Sequence, residues 1–432
     1  MWRVRSDERS AVGRREIAID RRRIRILFVA EDGASAAGGM EIRAAELLDA
    51  LRSYADVALL TAATLSFGRH CQRVHDLRAQ ARNSFGARLQ SSVSWSVGTM
   101  VALAEWRRAA SGVIRSIRPD VVYLHKFSAL APVAVESLCA SQSVVASFAD
   151  CHAAGFSDVL NGSWRAEFEP HFRVPAIARK AVLKSPPSRP RAVTFLYNCE
   201  YLRRWYARRM ACFGPQVVLH WGVDAAHFAP ATELREGGRF AFLGRASAAK
   251  GFPEFCATLA ALPHGLVTRI HIIGEGGELT TGLERLRAAG LEDRVGHVGN
   301  VPPCGVADVL RDATILMFPS RDEGFPAAVL QGMSAGLAVV ATDVGGVSEV
   351  VHDGSTGLLV PPGDPTRLAD ACGLVASDRA LRHRLGTAAR ELIVARLDGQ
   401  RSIDRHRDLI LDGAGDGAIT GAATNGYLAA GA

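Results

Sequence analysis

At 432 residues, with 48% hydrophobic and 22% charged side chains, the chain is long enough for two or three globular domains and too apolar to be disordered throughout. Its charge is uneven: residues 1–235 hold 33 Lys and Arg against 21 Asp and Glu (+12), and residues 236–432 hold 18 against 23 (−5), which sum to the overall +7. A basic first half suits an encounter with an anionic surface or acceptor; it also suits a composition biased towards arginine, since only Lys126, Lys180, Lys184 and Lys250 are lysines.

The eight cysteines form no C-x-x-C pair and no His/Cys group at zinc spacing, so they read as reduced, mostly buried thiols. No stretch reaches the 18 or so apolar residues of a membrane span, and the expectation is a cytoplasmic protein, soluble or peripheral on an inner membrane face. Residues 1–23 carry eight arginines without apolar periodicity and are expected to be a disordered leader.

From Ile24 the pattern changes. Ile24 to Ala30 is an apolar run of strand length, followed by a glycine-rich loop and then Met40, Ala44, Leu47, Leu48 and Leu51 at helical spacing. Further strands are predicted at Val57–Leu60, Val121–Leu124, Val144–Phe148, Val193–Tyr197 and Val217–His220, each separated from the next by enough chain for a helix. Residues 225–238, with Pro230 and Gly237-Gly238, read as a linker. The alternation restarts with strands at Phe240–Leu243, Ile270–Ile273, Ile315–Phe318, Ala338–Ala341 and Leu358–Val360, and residues 412–432 read as a flexible Gly/Ala tail. The predicted fold class is α/β, with doubly wound parallel-sheet domains over 24–224 and 239–411 that face each other across a cleft. Loops at the carboxyl ends of the strands of both sheets would line that cleft.

Three stretches carry candidate chemistry. Pro319-Ser320-Arg321-Asp322-Glu323-Gly324-Phe325-Pro326 follows a buried strand and opens a helix with proline at its first position, where free backbone amides suit a phosphate. Gly324 would permit a tight turn. Gln331 lies five residues beyond Pro326, roughly 7 to 8 Å along the helix axis, so Glu323 and Gln331 could touch two ends of one elongated ligand. The same stretch also reads as a capped turn whose glutamate only favours the helix dipole. Arg245 and Lys250-Gly251, at another strand-to-helix turn, read either as cations that hold a diphosphate or as a solvated pair. Gly38 and Gly39, after the first strand, would let a ligand approach the backbone, or form a plain turn. They do not belong to a G-x-G-x-x-G fingerprint, and no D-x-D triad occurs, so neither a dinucleotide nor an acidic metal clamp is expected.

Taken together these pieces resemble the family 4 retaining glycosyltransferases, which have the GT-B fold of two facing Rossmann-like domains. The resemblance spans about residues 24–395 through Gly38-Gly39-x-Glu41, Gly222-Val223-Asp224, Gly244-Arg245 with Lys250-Gly251, Ile273-Gly274-Glu275-Gly276, Pro319 to Pro326, and Thr342-Asp343-Val344-Gly345-Gly346 with Glu349. It implies sugar transfer from a nucleotide-diphosphate sugar, UDP or GDP, to a glycan or lipid-linked acceptor in surface-polysaccharide assembly. It further implies no cofactor, no metal and no nucleic-acid partner. Arg245 and Lys250 would bind the diphosphate, Glu323 the sugar hydroxyls, Gly324, Phe325 and Pro326 sugar or phosphate oxygens, and Gly38 and Gly39 would lie against the diphosphate. Two positions depart from the family pattern: Gln331 stands where a glutamate usually holds the ribose, and Ala149 stands where a histidine precedes Asp150. Asp150 and His152 are the catalytic candidates there, with His152 supplying the missing imidazole; His125, expected at the cleft, is another candidate, and each histidine also reads as structural. The departures leave open a catalytically degenerate nucleotide-sugar binder or scaffold. Arg203, Arg204, Arg208 and Arg209 read as a docking face for an anionic leaflet or as a solvated helix face.

Overall fold

A computed structural model describes residues 23–30, 39–61, 73–76, 112–125, 142–149, 192–208, 214–232, 236–301 and 303–414. Apolar runs such as Ile24–Ala30 form strands because successive side chains point to opposite faces, and helices cover both. Every residue of the strand Val121–His125 is buried. Seven parallel strands build the first sheet: β1 (Ile24–Ala30), β2 (Ala55–Thr61), β3 (Arg73–Asp76), β4 (Val121–His125), β5 (Ser143–Phe148), β6 (Ala192–Tyr197) and β7 (Gln216–Val218), in the order 3-2-1-4-5-6-7. On one face Leu27, Val122, Phe148 and Tyr197 pack with Leu202 and Tyr206 of the helix α2 (Glu200–Ala207). On the other, Ile26, Phe28 and Tyr123 pack with Leu47 and Leu51 of α1 (Gly39–Arg52).

The second sheet contains β8 (Arg239–Leu243), β9 (Arg269–Ile273), β10 (Val295–Gly299), β11 (Ile315–Phe318), β12 (Ala338–Thr342) and β13 (Leu358–Val360), in the order 10-9-8-11-12-13. Its helices are α3 (Phe252–Ala261), α4 (Leu279–Ala288), α5 (Pro303–Arg311), α6 (Ala327–Ser334), α7 (Pro365–Ser377) and α8 (Arg379–Arg396), and a last helix, α9 (Gly399–Asp412), follows. In each sheet the strand order reverses beside the first strand, with β1 between β2 and β4 and β8 between β9 and β11. A crevice opens at such a switch point, outside the carboxyl ends of the strands.

The two parallel-sheet α/β units are those expected, with three differences. Strands β3 and β10 lie outside the expected set. Both are edge strands with polar or glycine residues, Arg-Val-His-Asp and Val-Gly-His-Val-Gly, so neither carries a continuous apolar run. Residues 225–232 are not a free linker. Ala225 and Phe228 are buried in the second domain's core, and the Phe228 carbonyl accepts hydrogen bonds from Ser334 Oγ (3.1 Å) and Arg390 Nη1 (2.9 Å).

The third difference concerns the second domain's expected end at 411. Helix α9 leaves the second domain: Ile403, Leu409 and Ile410 are buried in the first domain's core with Phe28, Leu47 and Tyr123. The chain therefore crosses twice between domains, and the crossings run side by side. Val223 N–H donates to Leu397 O (2.9 Å), Gly399 N–H donates to Val223 O (2.9 Å), and Ser402 Oγ donates to His220 O (2.8 Å). The expected leader up to residue 22 and the tail from 415 lie outside the described residues.

Candidate functional site

Strand β8 ends at Leu243, and Gly244-Arg245 follows at the edge of the crevice. The chain then makes a turn of 3₁₀ helix, Ala248–Lys250, without a side-chain cap, and reverses through Gly251 at φ 71° before α3. Position 251 requires glycine twice over. Its φ lies in the left-handed region, and a Cβ there would come 1.8 Å from Pro319 O, so the loop after β8 presses directly on the loop after β11. Arg321 N–H donates to Ala249 O (2.9 Å), and Arg321 Nε donates to Glu254 Oε1 (3.0 Å) on α3.

This contact delivers Lys250 to Glu323. Lys250 Nζ stands 2.5 Å from Glu323 Oε1, the lysine side chain 36% exposed and the glutamate 11%. Ser320, fully buried, places its Oγ 3.0 Å from the same Oε1, and 3.1 and 3.3 Å from the carbonyls of Asp322 and Ala249. Its single proton serves one of these acceptors at a time. Thr342 Oγ1 donates in turn to Ser320 O. Glu323 is thus fixed through Oε1, while Oε2 has no protein partner among the described residues. Arg245 is exposed and makes no ion pair among the described residues.

The turn then runs into α6. Pro326, at φ −85° and ψ 86°, is the residue before the helix and not its first helical position, and no side chain caps the helix. The first amides of α6 are therefore left for an outside acceptor. Gln331 is half-buried on this helix. Gly336, at φ 75°, ends it: Gly336 N–H donates to Met333 O and Leu337 N–H to Gly332 O, both at 3.0 Å, which is the Schellman pattern.

Gly324 sits at a bend, as expected, without a φ in the left-handed region, and its lack of a side chain has a second use. A Cβ there would lie 2.5 Å from Ala149 O at the end of β5, so the glycine lets the second domain's turn touch the first domain's backbone. Its carbonyl is shared between the domains, accepting from Gly346 N–H (2.9 Å) on one side and from Cys199 Sγ (3.3 Å) on the other. Phe325 packs against the cores of both domains, with its ring 4.9 Å from that of His220.

The structure thus brings Lys250, Glu323, Gly324, Phe325 and Pro326 to one place beside Ala149. Gly39 lies in the first turn of α1, and Gly38, Asp150 and His152 lie outside the described residues. His125, expected at the cleft, is buried: it is 5% exposed, with its ring stacked 5.6 Å from that of Phe28 and edge-on to that of Trp221 at 6.4 Å. Arg203 and Arg204 are engaged by Glu200, at 2.5 to 2.9 Å, and Arg209 lies outside the described residues. Among the described residues no helix is long and apolar enough to cross a membrane. Sequence reasoning missed Cys199, His220 and Asn198, whose Nδ2 donates to Ala149 O (3.2 Å); each follows a short strand of the first sheet, and that position at a carboxyl end was the available signal.

Residues 228–392 match the family described as Glycosyl transferases group 1. The D-inositol 3-phosphate glycosyltransferase of Kribbella flavida is 34% identical over 194 residues, which are 40% of this chain and 46% of that protein. The matched stretch spans less than half the length of this and other curated relatives. Among solved structures, sucrose-phosphate synthase from Thermosynechococcus elongatus superposes with a TM-score of 0.67 at 21% identity, covering 90% of this chain and 99% of that one. Anabaena HepE in complex with UDP superposes with a TM-score of 0.65 at 16% identity, covering 90% and 100%. These likenesses show the GT-B fold.

Proposed function

We propose, from the match of residues 228–392 to the glycosyl transferases group 1 family, that the chain is a retaining glycosyltransferase that moves a sugar from a nucleotide-diphosphate sugar to a glycan or lipid-linked acceptor in cell-surface polysaccharide assembly. The observation that carries this reading is the Lys250–Glu323 contact beside the uncapped start of α6.

In the proposed reaction the bond from the anomeric carbon to the diphosphate oxygen breaks, the sugar gains oxocarbenium character, and negative charge grows on the departing group. Lys250, held by Glu323, and the first amides of α6 are fixed beforehand and need no reorganisation as that charge develops, and the exposed Arg245 is a further cation available to meet it. An ammonium has three N–H donors, so Lys250 can keep Glu323 while it donates to a phosphate oxygen. Glu323, held through Oε1, retains Oε2 for sugar hydroxyls and so orients the ring. The acceptor hydroxyl oxygen bonds to the anomeric carbon on the face that the diphosphate leaves, and its proton passes to the departing phosphate oxygen, which retains the configuration. Contact of Gly324 and Phe325 with the first domain supports a site closed from water.

Thermal-shift measurements against UDP-, GDP- and ADP-sugars test the reading, since one-site binding adds stability as the logarithm of ligand over Kd. UDP comes first because HepE was crystallised with it. Product analysis by NMR then reads the anomeric configuration. The second reading, a catalytically degenerate nucleotide-sugar binder, is favoured by Ala149 and Gln331. It predicts stabilisation without transfer or donor hydrolysis.

A further inference from the structure

Helix α2 has only eight residues, and its N-cap, Cys199, makes no side-chain hydrogen bond to the helix's first amides. Cysteine is not among the residues that cap well, and a helix this short is marginal by itself. The missing cap comes from the other domain. Glu349, at the end of the 3₁₀ turn that follows β12, accepts from Tyr201 N–H through Oε1 (2.7 Å) and from Glu200 N–H through Oε2 (2.9 Å). His220 Nε2 stands 3.0 Å from Oε2, with the histidine side chain 6% exposed and the glutamate 14%. A carboxylate so far out of water, at a helix start, makes charge-assisted bonds that water cannot readily replace.

The same loop also sets the candidate site. Gly346, three residues before Glu349, donates to Gly324 O, the carbonyl that Cys199 reaches from the start of α2. His220, held by Glu349, packs on Phe325. One side chain therefore joins α2, the crossing segment and the turn that carries Glu323.

We propose that Glu349 is an interdomain latch: its carboxylate, carried by the second domain, is the N-terminal cap of α2 in the first, and separation of the domains uncaps that helix. This makes Glu349 a positioning residue, whose effect on the Glu323–Pro326 turn runs through domain closure. The inference stands whatever the donor is.

Hydrogen exchange and small-angle scattering on the full chain test it without any ligand. In Glu349→Ala the amides of residues 200–207 are expected to exchange at least about tenfold faster, a change of about 1.4 kcal/mol. Those of β12 and α7 keep their wild-type rates, which shows that the second domain is folded, and the scattering curve shifts to a larger maximum dimension. Glu349→Gln, of equal size, gives the same changes at smaller amplitude should the alanine variant fail to fold. A second variant, Cys199→Ser with Glu349→Ala, restores a cap from within α2; its helix is expected to regain protection while the scattering stays expanded. Unchanged exchange at 200–207, or unchanged scattering, in the single variants overturns the latch. So does a double variant whose scattering returns to the wild-type curve, because Glu349 would then only order a helix.

Discussion

Lys250 Nζ and Glu323 Oε1 stand 2.5 Å apart although 73 residues separate them in the chain. They meet because β8 and β11, the strands that precede their loops, are neighbours at the point where the second sheet's order reverses. Gly251 then allows the two loops to touch. The pair places a cation and an anion at the start of α6, where a bound diphosphate and its sugar would need one of each.

Removal of the cation is expected to cost more than a surface charge would. Lys250→Ala, and separately Arg245→Ala, should lower sugar transfer at least about a hundredfold, given roughly 2.7 to 4 kcal/mol for one charge-stabilising donor. Initial rates with the donor identified by thermal shift are the measurement. Wild-type rates in both variants would remove these cations from the reaction.

Gln331 offers the opposite test, a gain. If its amide meets the ribose, Gln331→Glu restores a charge-assisted bond that exceeds a neutral one by roughly 1 kcal/mol. Titration calorimetry with UDP and GDP should then show about fivefold tighter binding. Equal affinity in the two proteins would place the ribose elsewhere.

Acid sensitivity should trace in part to His406. The ring is buried, stacked 3.7 Å from Trp221, and its Nδ1 lies 2.8 Å from Ser402 O. Burial holds its pKa down at about 3 against 6.5 for the free side chain. Between those values the unfolded chain binds one more proton, so stability falls as pH falls through 6.5, by up to about 1.4 kcal/mol per pH unit. His406→Phe, which keeps a ring on Trp221, should lose about 2 kcal/mol less than wild type between pH 6 and 4.5. Urea midpoints at the two pH values measure this, and parallel losses would acquit His406.

Truncation after Asp398 should damage the domain most distant in sequence. Without α9, Ile403, Leu409 and Ile410 no longer cover Phe28, Leu47 and Tyr123 of the first domain. Each is worth roughly 1.5 to 3 kcal/mol when fully buried. Hydrogen exchange in β1 and β4 is expected to accelerate strongly while β11 and β12 keep their protection. Equal protection in both domains would contradict the packing described.

The sequence by itself determined the two parallel sheets, because strands buried on both faces must be written as apolar runs. Ile24–Ala30 and Ile315–Phe318 were legible to the residue. It also exposed the loops that bear Lys250, Glu323 and Gly324, since free amides, glycine and charge after a strand are local features. Strands β3 and β10 were not legible, because an edge strand has one neighbour and needs no such run. Nor was the return of α9, whose apolar stripe says only that it is covered, not by which domain. The cap on α2 was decided last and furthest away: Glu349 and Tyr201 are 148 residues apart, and their bond exists only where two separately folded surfaces close on each other. Burial is written locally along a chain, whereas partnership is a property of the surfaces that burial leaves behind.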